Sequence, residues 1–271
     1  MSTHPHAPLE GTRYLPVQRY PGERVAVPDQ ILDEVPVTLC SDGFALVTVF
    51  ASPLDLGDFA LGHLLTEGLI DRADDLLACD VVDVDRPSAD KPARMDRSIQ
   101  VDLQLAEHCL RRLDAAPSSD RATNIVGLRP AAPTVPAVQI TLSALQRGMA
   151  EMAAGQVLHQ ATGASHAAGF CRLDGSLLAL REDVGAAHAL DKLVGWLARS
   201  GESSADGFAC ITSRASYEVV HKASMAGIGL LAAIYAPTAL AVSTAETAGL
   251  CLLGFVRGER VTLYSRPDGL L

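Results

Sequence analysis

The amino-acid sequence predicts an α/β fold, in which a largely parallel sheet carries helices on its faces behind a smaller N-terminal β-rich subdomain. After Val138, strand-like apolar runs alternate with helical periodicities, and this alternation is typical of a sheet covered by helices. Before it, short β-branched runs predominate and predict the β-rich part. Of the 271 residues, 48% are hydrophobic, so the chain can bury a large core.

Changes in composition divide the chain into four parts. Residues 1–27 are rich in Pro, His and charged residues, which predicts a flexible, loosely held arm. Residues 28–113 carry the β-rich pattern, and residues 137–271 carry the alternating pattern of an α/β subdomain. Between them, residues 114–136 are rich in Pro, Ser and Ala without any period, and we interpret them as a long mobile loop.

The β-rich part contains a predicted hairpin, a helix and a further strand. Ile31–Cys40 and Phe44–Phe50 are β-branched runs separated by Ser41–Gly43, which predicts the hairpin. Leucines at helical spacing in Leu54–Ile70, with aspartates in the first turn, predict the helix. Ser98–Leu105 alternates between polar and apolar residues and is therefore predicted to be a strand.

In the α/β part, predicted strands and helices follow one another to the C-terminus. They are identified by apolar periodicity and by the turn residues between them. Pro237 is placed to open the last helix, because proline is favoured in a first helical turn. The other predicted helices are Ser143–Ala154, Ala186–Arg199 and Ser216–Ala226, and the predicted strands are Ser176–Arg181, Phe208–Thr212, Leu230–Tyr235, Leu250–Val256 and Val261–Tyr264.

Charge and cysteine usage exclude several classes of function. The formal net charge is −10, from 22 basic and 32 acidic side chains, which argues against broad nucleic-acid binding.

The six cysteines form no CxxC pair and no zinc-ligand spacing, so we expect buried thiols in a reducing compartment and no metal site. The N-terminus lacks signal-peptide features, and glycines and Pro237 interrupt the one long uncharged stretch. We therefore expect a cytoplasmic protein without membrane segments.

Three strand–helix junctions are predicted to share one edge of the sheet. They are Arg181–Gly185, Thr212–Ser216 and Tyr235–Thr238, each of which follows a predicted strand and leads into a predicted helix. In open α/β sheets, ligands bind at this edge, and the free N–H groups of helix N-termini favour anions such as phosphate. The edge therefore suits a ligand that contains pyrophosphate.

Side chains at these junctions can contribute hydrogen-bond donors to a bound phosphate. Arg181 and Arg214 can each grip a phosphate with two parallel hydrogen bonds, and Ser213 and Thr238 can donate through their hydroxyls. The sequence contains no P-loop and no GxSxG, HExxH or GxGxxG motif. The junctions therefore indicate anion binding without one of the common catalytic motifs.

Each candidate side chain also has a structural interpretation, which the sequence leaves open. Asp183 and Thr238 could cap helices. Lys222 could pair with the glutamate one turn before it on an exposed helix face. His166 could be a structural histidine, and the arginines on either side of Gly258 could be hydrated charges of a turn.

Several blocks of the sequence resemble the FdhD family of formate dehydrogenase accessory sulfurtransferases. The similarity covers about residues 30 to 265, and the REDVG, ALDK and SRASYE blocks are the most specific. The matching blocks are Glu34–Thr38, Ala60–Ile70, Ala161–Ala168, Arg181–Gly185, Ala189–Lys192, Ile211–Val220, Lys222–Ala223, Ala236–Val242 and Gly254–Gly258.

The resemblance implies a fold similar to the cytidine deaminases, with a mixed sheet, helices on both faces and a homodimeric assembly. Deaminase activity is not expected, because the H-x-E and P-C-x-x-C zinc signature is absent. Family members take sulfur from a cysteine desulfurase and pass it to the bis-guanine-dinucleotide molybdenum cofactor before that cofactor enters formate dehydrogenase. The expected partners are thus the catalytic subunit of formate dehydrogenase and a cysteine desulfurase. GDP-like nucleotides are expected to mimic the cofactor.

The resemblance also extends the set of expected cofactor contacts. The family's cofactor segment near the C-terminus falls on the turn between the last two predicted strands. The residues of this segment are therefore added to the candidate residues at the three junctions and near them. The expected cofactor-binding residues are His166, Arg181, Asp183, Ser213, Arg214, Lys222, Thr238, Phe255, Val256, Arg257, Gly258, Glu259 and Arg260.

One departure from the family pattern bears on the chemistry. The family's mobile loop carries two sulfur-carrying cysteines, and the corresponding stretch here, Thr123–Arg129, has Asn124 and Gly127 in their place. A persulfide needs a thiolate sulfur, which neither residue provides. The sequence therefore predicts a cofactor chaperone without catalytic cysteines. The alternative is an active sulfurtransferase that uses another cysteine, with Cys171 as the first choice.

Overall fold

The computed structural model describes residues 7–22, 26–85, 97–115 and 131–271. These residues form twelve β-strands in three sheets and seven α-helices. The strands are β1 Thr12–Val17, β2 Val27–Leu32, β3 Val35–Ser41, β4 Phe44–Ala51, β5 Leu76–Asp85, β6 Arg97–Leu105, β7 His166–Arg172, β8 Leu177–Asp183, β9 Gly207–Ile211, β10 Leu230–Ala233, β11 Cys251–Arg257 and β12 Arg260–Ser265. The helices are α1 Leu56–Thr66, α2 Glu107–Ala115, α3 Leu142–Gly155, α4 Val157–Thr162, α5 Ala186–Ser200, α6 Tyr217–Met225 and α7 Ala239–Ala248.

A two-stranded sheet lies near the N-terminus. Strand β1 pairs antiparallel with β2, and Thr12 lies opposite Leu32. Just beyond this pair, the N–H of Asp33 donates to the carbonyl oxygen of Gly11 (2.8 Å). Residues 12–17 therefore form paired backbone within the segment expected to be a loose arm. Composition alone does not reveal this, because the partners of the backbone groups lie in β2.

The β-rich subdomain is a four-stranded sheet in the order β4-β3-β6-β5. The predicted hairpin is confirmed, since β3 and β4 pair antiparallel around Asp42 and Gly43, whose φ angles of 49° and 78° form a tight turn. One face of the sheet packs against α1 in a core that includes Val37, Phe59 and Val101. Strand β5 and helix α2 were not predicted from the sequence, because β5 lies at a sheet edge and α2 is short and mostly polar.

The α/β subdomain is a mixed six-stranded sheet in the order β12-β11-β10-β9-β7-β8. Strand β10 is parallel to β9 and to β11, and the other three neighbouring pairs are antiparallel. The expectation of a largely parallel sheet was therefore wrong. Short turns at Gly175 (φ 85°) and Gly258 (φ 57°) join β7 to β8 and β11 to β12, and such turns return the chain antiparallel.

Helices cover both faces of this sheet, which confirms the predicted α/β fold class. In β9, Phe208 and Cys210 pack in the core cluster beside α3, whereas Ala209 and Ile211 pack in the cluster beside α5, α6 and α7. The helices predicted from periodicity and turn residues correspond to α1, α3, α5, α6 and α7. Helix α7 begins at Ala239 after its cap Thr238, so Pro237 precedes this helix and does not open it. None of the described helices combines the length and the apolar character needed to cross a membrane.

Helix α1 of the β-rich subdomain packs directly against α5 of the α/β subdomain. A Cβ atom at Gly62 would overlap the carbonyl oxygen of Asp191, and a Cβ atom at Gly195 would overlap that of Asp58. The two helix backbones therefore touch at both glycines, closer than any larger residue allows. This contact sets how the two subdomains lie against each other.

Replacing Gly62 by Ala should destabilise the protein, because the added Cβ must push α1 away from α5. We expect the free energy of unfolding, measured by urea denaturation, to fall by about 3 kcal/mol. Gly57→Ala in the same helix is the matched control, since its Cβ would meet only the flexible end of Arg199, 3.3 Å away. Alanine favours a helix over glycine by about 1 kcal/mol, so the control should not lose stability. Equal losses in both variants would contradict the contact.

Candidate functional site

The ends of four strands meet at one edge of the six-stranded sheet. His166 at the start of β7 lies opposite Asp183 at the end of β8, and Ile211 at the end of β9 lies opposite Ala233 at the end of β10. Because β7 runs antiparallel to β9, its start lies beside the end of β9. The three strand–helix junctions therefore share this edge, as the sequence predicts.

A cavity of about 600 Å³ opens at this edge, and we call it the edge cavity. Its volume is within the range of typical small-molecule sites. Of the residues expected to bind the cofactor, His166, Ser213 and Arg214 line it. The complete lining is His166, Gly185, Ala186, Ala187, His188, Ser213, Arg214, Ser216, Glu218, Val219 and Tyr235.

Two helix N-termini border the edge cavity. Helix α5 follows Gly185, which offers no side chain to cap the N–H groups of the first turn. Helix α6 follows Ser216, whose hydroxyl accepts the N–H of Val219 (3.5 Å). Uncapped N–H groups and the positive end of the helix dipole both favour a bound anion. The start of α5 is therefore the stronger anion-binding end of the two.

Arg214 supplies the positive charge of the edge cavity. Its side chain is exposed. Glu218 is the one carboxylate among the lining residues. Burial and the nearby His159 lower the pKa of His166, and Asp183 opposes this shift. At neutral pH His166 is therefore an uncharged hydrogen-bonding group.

Asp183 lies behind the edge cavity rather than in its lining. Its side chain is fully buried, as is that of Lys192, whose ammonium lies 2.7 Å away. The carboxylate accepts the N–H groups of Gly185 (2.8 Å) and Ser52 (3.1 Å). Burial alone would raise the pKa of Asp183, but the contact with His188 and the charge of Lys192 hold it below its ordinary value. Asp183 therefore holds the turn that opens α5, in place of the expected ligand contact.

Arg181 and Lys222, both expected to bind the cofactor, instead join the two subdomains. The Arg181 guanidinium donates to Asp58 of α1 (2.7 and 3.0 Å). Lys222 is 1% exposed, and its ammonium lies 2.9 Å from Asp191 and 2.8 Å from Glu67. Burial alone would lower the pKa of Lys222, but these two carboxylates raise it. Because Lys222 is buried, it is not part of an exposed helix ion pair either.

Thr238 and Val256 also have structural positions. The Thr238 hydroxyl accepts the N–H of Ala241 (3.2 Å) and caps α7, which was the structural interpretation of this residue. Val256 is 4% exposed and packs in the core cluster beside α3. Neither side chain lines the edge cavity, so the structure offers no support for these two expected contacts.

The hairpin between β11 and β12 flanks the edge cavity through Tyr235. The Arg257 guanidinium lies 4.9 Å from the centre of the Tyr235 ring, which is a cation–π contact. The expected cofactor segment is therefore next to the cavity without lining it. The other exposed residues of this segment are Phe255, Gly258, Glu259 and Arg260.

Two lining residues, His188 and Tyr235, carry no distinctive sequence signal. His188 lies at an ordinary helix spacing from Lys192, and Tyr235 closes an apolar run. Only the meeting of the strand ends brings them together. Asn124 and Gly127 lie outside the described residues, so the replacement of the loop cysteines rests on the sequence alone.

Replacing Lys222 by Met should cost far more stability than replacing an exposed cation. The variant leaves the buried Asp191 carboxylate without its charged partner, which costs about 3–5 kcal/mol of unfolding free energy. Arg147→Met is the control, because Arg147 forms exposed ion pairs with Glu151 and Asp174, and such pairs contribute about 1 kcal/mol or less. Urea denaturation measures both differences. A Lys222→Met protein as stable as the control would show that the buried pair is absent.

Curated relatives match this chain over most of their length. A protein named sulfur carrier protein FdhD from Bordetella petrii is 38% identical over 252 residues, which cover 89% of this chain and 87% of the relative. A protein of the same name from Xanthomonas oryzae pv. oryzae is 40% identical over 263 residues, which cover 94% of this chain and 90% of the relative.

A solved structure shares the fold. A protein from Desulfotalea psychrophila, described as a formate dehydrogenase accessory protein, aligns with a TM-score of 0.70 over 96% of this chain and 98% of its own. At 21% identity, this likeness concerns the fold alone. The sequence model of the FdhD/NarQ family matches residues 32–271. This match and the relatives near 40% identity show that the chain belongs to the FdhD/NarQ family.

Proposed function

We propose that this chain binds the bis(molybdopterin guanine dinucleotide) form of the molybdenum cofactor in the edge cavity, and delivers or protects it while formate dehydrogenase matures. The observation that carries the proposal is the edge cavity itself, where Arg214 lies beside the uncapped start of α5. The description of the protein that shares the fold supports a role in formate dehydrogenase maturation, whereas the relatives' name, sulfur carrier protein, favours the alternative function of sulfur transfer.

The chemistry of the edge cavity suits one guanine dinucleotide arm. Each arm carries a pyrophosphate, which needs several donors and positive charge close together. Arg214 can grip two phosphate oxygens at once, and the first N–H groups of α5 offer partial positive charge to the same anion. Tyr235, stacked with Arg257, offers a flat surface on which a purine base can stack. The net charge of −10 disfavours long polyanions and leaves this local site for a small anionic ligand.

The cysteines support a role without persulfide chemistry. All six lie in described residues and are free; five are buried, and Cys79 is partly exposed. Burial raises the thiol pKa of Cys40 and Cys79, and raises that of Cys251 to about 12. Cys171, the first alternative sulfur carrier, is fully buried, so a partner protein cannot reach its sulfur. Sulfur transfer through another cysteine is therefore the less supported of the two functions.

The proposed process requires a protein that receives the cofactor. We propose that this partner is the catalytic subunit of formate dehydrogenase, and that the two proteins interact in the cytoplasm. A cysteine desulfurase is a partner only in the alternative function, where sulfur is transferred. The homodimer implied by the family resemblance belongs to the same proposal, and analytical ultracentrifugation tests it.

Calorimetric titration with GDP tests the edge cavity, because GDP stands in for one arm of the cofactor. Arg214→Ala removes a charge-assisted contact of about 1.5–3 kcal/mol, so GDP should bind about 10- to 150-fold more weakly than to the wild type. Arg172→Ala is the matched control, since Arg172 lies at the other end of β7 in an exposed ion pair with Glu202. The control should bind GDP as the wild type does.

Co-purification tests the proposed cargo itself. From a host that makes the cofactor, the wild-type protein should carry molybdenum and release GMP on acid treatment. The Arg214→Ala protein should carry much less of both, because it lacks the phosphate contact. Wild-type protein without molybdenum or GMP, and without GDP binding in calorimetry, would overturn the proposal.

Incubation with a cysteine desulfurase and sulfur-labelled cysteine tests the absence of persulfide chemistry. We expect no label to remain after free sulfide is removed, because none of the six cysteines is an exposed thiol. Cys79→Ala controls for adventitious labelling of the most accessible thiol. Label that persists in Cys79→Ala and disappears in Cys171→Ala would establish the alternative function.

A further inference from the structure

A cluster of possible metal ligands lies in the β-rich subdomain, and none of its members lines the edge cavity. Asp75 ends the short 3-10 turn Ala73–Asp75 that precedes β5, whereas His108 and Cys109 lie in the first turn of α2, which follows β6. Because β5 and β6 pair antiparallel, the start of β5 lies beside the end of β6. The three side chains therefore meet at the base of this strand pair.

Two distances within the cluster match those between neighbouring ligands of a tetrahedral zinc ion. Sγ of Cys109 lies 3.3 Å from Nε2 of His108, which lies 3.4 Å from Oδ1 of Asp75, and all three ligand atoms are within 4.8 Å of one another. Zinc bonds of about 2.0–2.3 Å at tetrahedral angles place neighbouring ligand atoms about 3.3–3.6 Å apart. Thiolate, imidazole and carboxylate are also the ligands that zinc uses in proteins. We propose that Asp75, His108 and Cys109 form a zinc-binding site.

Neighbouring groups hold the carboxylate and the sulfur in position. Oδ2 of Asp75 accepts the backbone N–H groups of Asp71 (3.0 Å) and Arg72 (3.1 Å), which leaves Oδ1 for the metal. Nη2 of Arg112 lies 3.7 Å from Sγ of Cys109, as a hydrogen-bond donor to a metal-bound thiolate would. Outer contacts of this kind orient metal ligands and strengthen binding.

The local charges accommodate a divalent cation. Asp75 and the thiolate form of Cys109 supply two negative charges against the two positive charges of zinc. Arg112 is already neutralised by two contacts of 3.0 Å with Asp71. Arg72 contacts Oδ1 of Asp75 at 3.4 Å and has a side chain that is 74% exposed, so it can turn into solvent when a metal takes that oxygen.

The site is accessible and leaves one coordination position open. The His108 side chain is 48% exposed, so a metal can enter from solvent, and three protein ligands leave a fourth position for water. Burial and Asp75 raise the pKa of the Cys109 thiol, and Arg112 opposes this shift. Zinc binding here does not depend on the proposed cofactor function.

Cobalt(II) is the probe for this site, because a thiolate ligand gives bound cobalt a charge-transfer absorption that bound zinc lacks. The full-length protein is stripped of metal with a chelator, titrated with cobalt and then with zinc. We expect one cobalt ion per chain, a thiolate charge-transfer band, and loss of that band as zinc displaces cobalt. Zinc should also raise Tm, because the assembled site exists only in the folded chain.

Two variants remove ligands, and a third is the matched control. Cys109→Ser should abolish the charge-transfer band. His108→Ala, at a half-exposed position, should weaken cobalt binding by about 100-fold or more, since loss of even an outer contact costs about 10- to 100-fold. Cys79→Ser is the control, because Cys79 lies on the neighbouring β5 and is the most accessible cysteine, and this variant should bind cobalt as the wild type does.

Wild-type protein that binds no cobalt, or a charge-transfer band that remains in Cys109→Ser, would overturn the proposal. The cluster would then be held by hydrogen bonds alone. His108→Ala keeps the test decisive if Cys109→Ser does not fold. Cobalt affinity equal to that of the wild type in His108→Ala would also overturn the proposal.

Discussion

The backbone contact between α1 and α5 is the constraint on which the rest of the structure depends. The helices touch at Gly62 and Gly195, and Asp191, on the same stretch of α5, is fully buried. A buried carboxylate is costly unless charged and hydrogen-bonding partners surround it. Lys222 of α6 and Thr66 of α1 are such partners, at 2.9 and 2.7 Å. Close packing and charge pairing therefore require the same arrangement of three helices from two subdomains.

This arrangement also supports the wall of the edge cavity. Ser52, just after β4 in the β-rich subdomain, donates its N–H to Asp183 and accepts the N–H of Val184 through its hydroxyl (both 3.1 Å). The ammonium of Lys192 donates to the carbonyl oxygen of Ser52 (3.1 Å). The turn that opens α5 is thus held from the other subdomain. The start of α5 can keep its N–H groups free of a capping side chain, because its position does not depend on one.

Anion-binding and cation-binding groups are separated in this chain. The edge cavity presents an arginine, hydroxyls, imidazoles and backbone N–H groups, and no thiol lines it. The cluster of Asp75, His108 and Cys109 presents acceptors and a sulfur, in the other subdomain. A cavity rich in donors and without a nucleophilic sulfur can hold an anionic cofactor without reacting with it, which agrees with the proposed role.

The sequence by itself determined most of the described strands and helices, the α/β class and the edge where the three junctions meet, because these depend on local periodicity and turn residues. It also predicted as binding residues His166, Ser213 and Arg214, which line the cavity that the structure contains. It could not separate Arg214 from Arg181 and Lys222, since all three are cations at or near the same junctions. Only the tertiary structure decided that Arg181 and Lys222 form ion pairs within the protein, because their carboxylate partners lie on other helices. The zinc cluster was hidden for the same reason, because β5 and β6 separate its ligands along the chain.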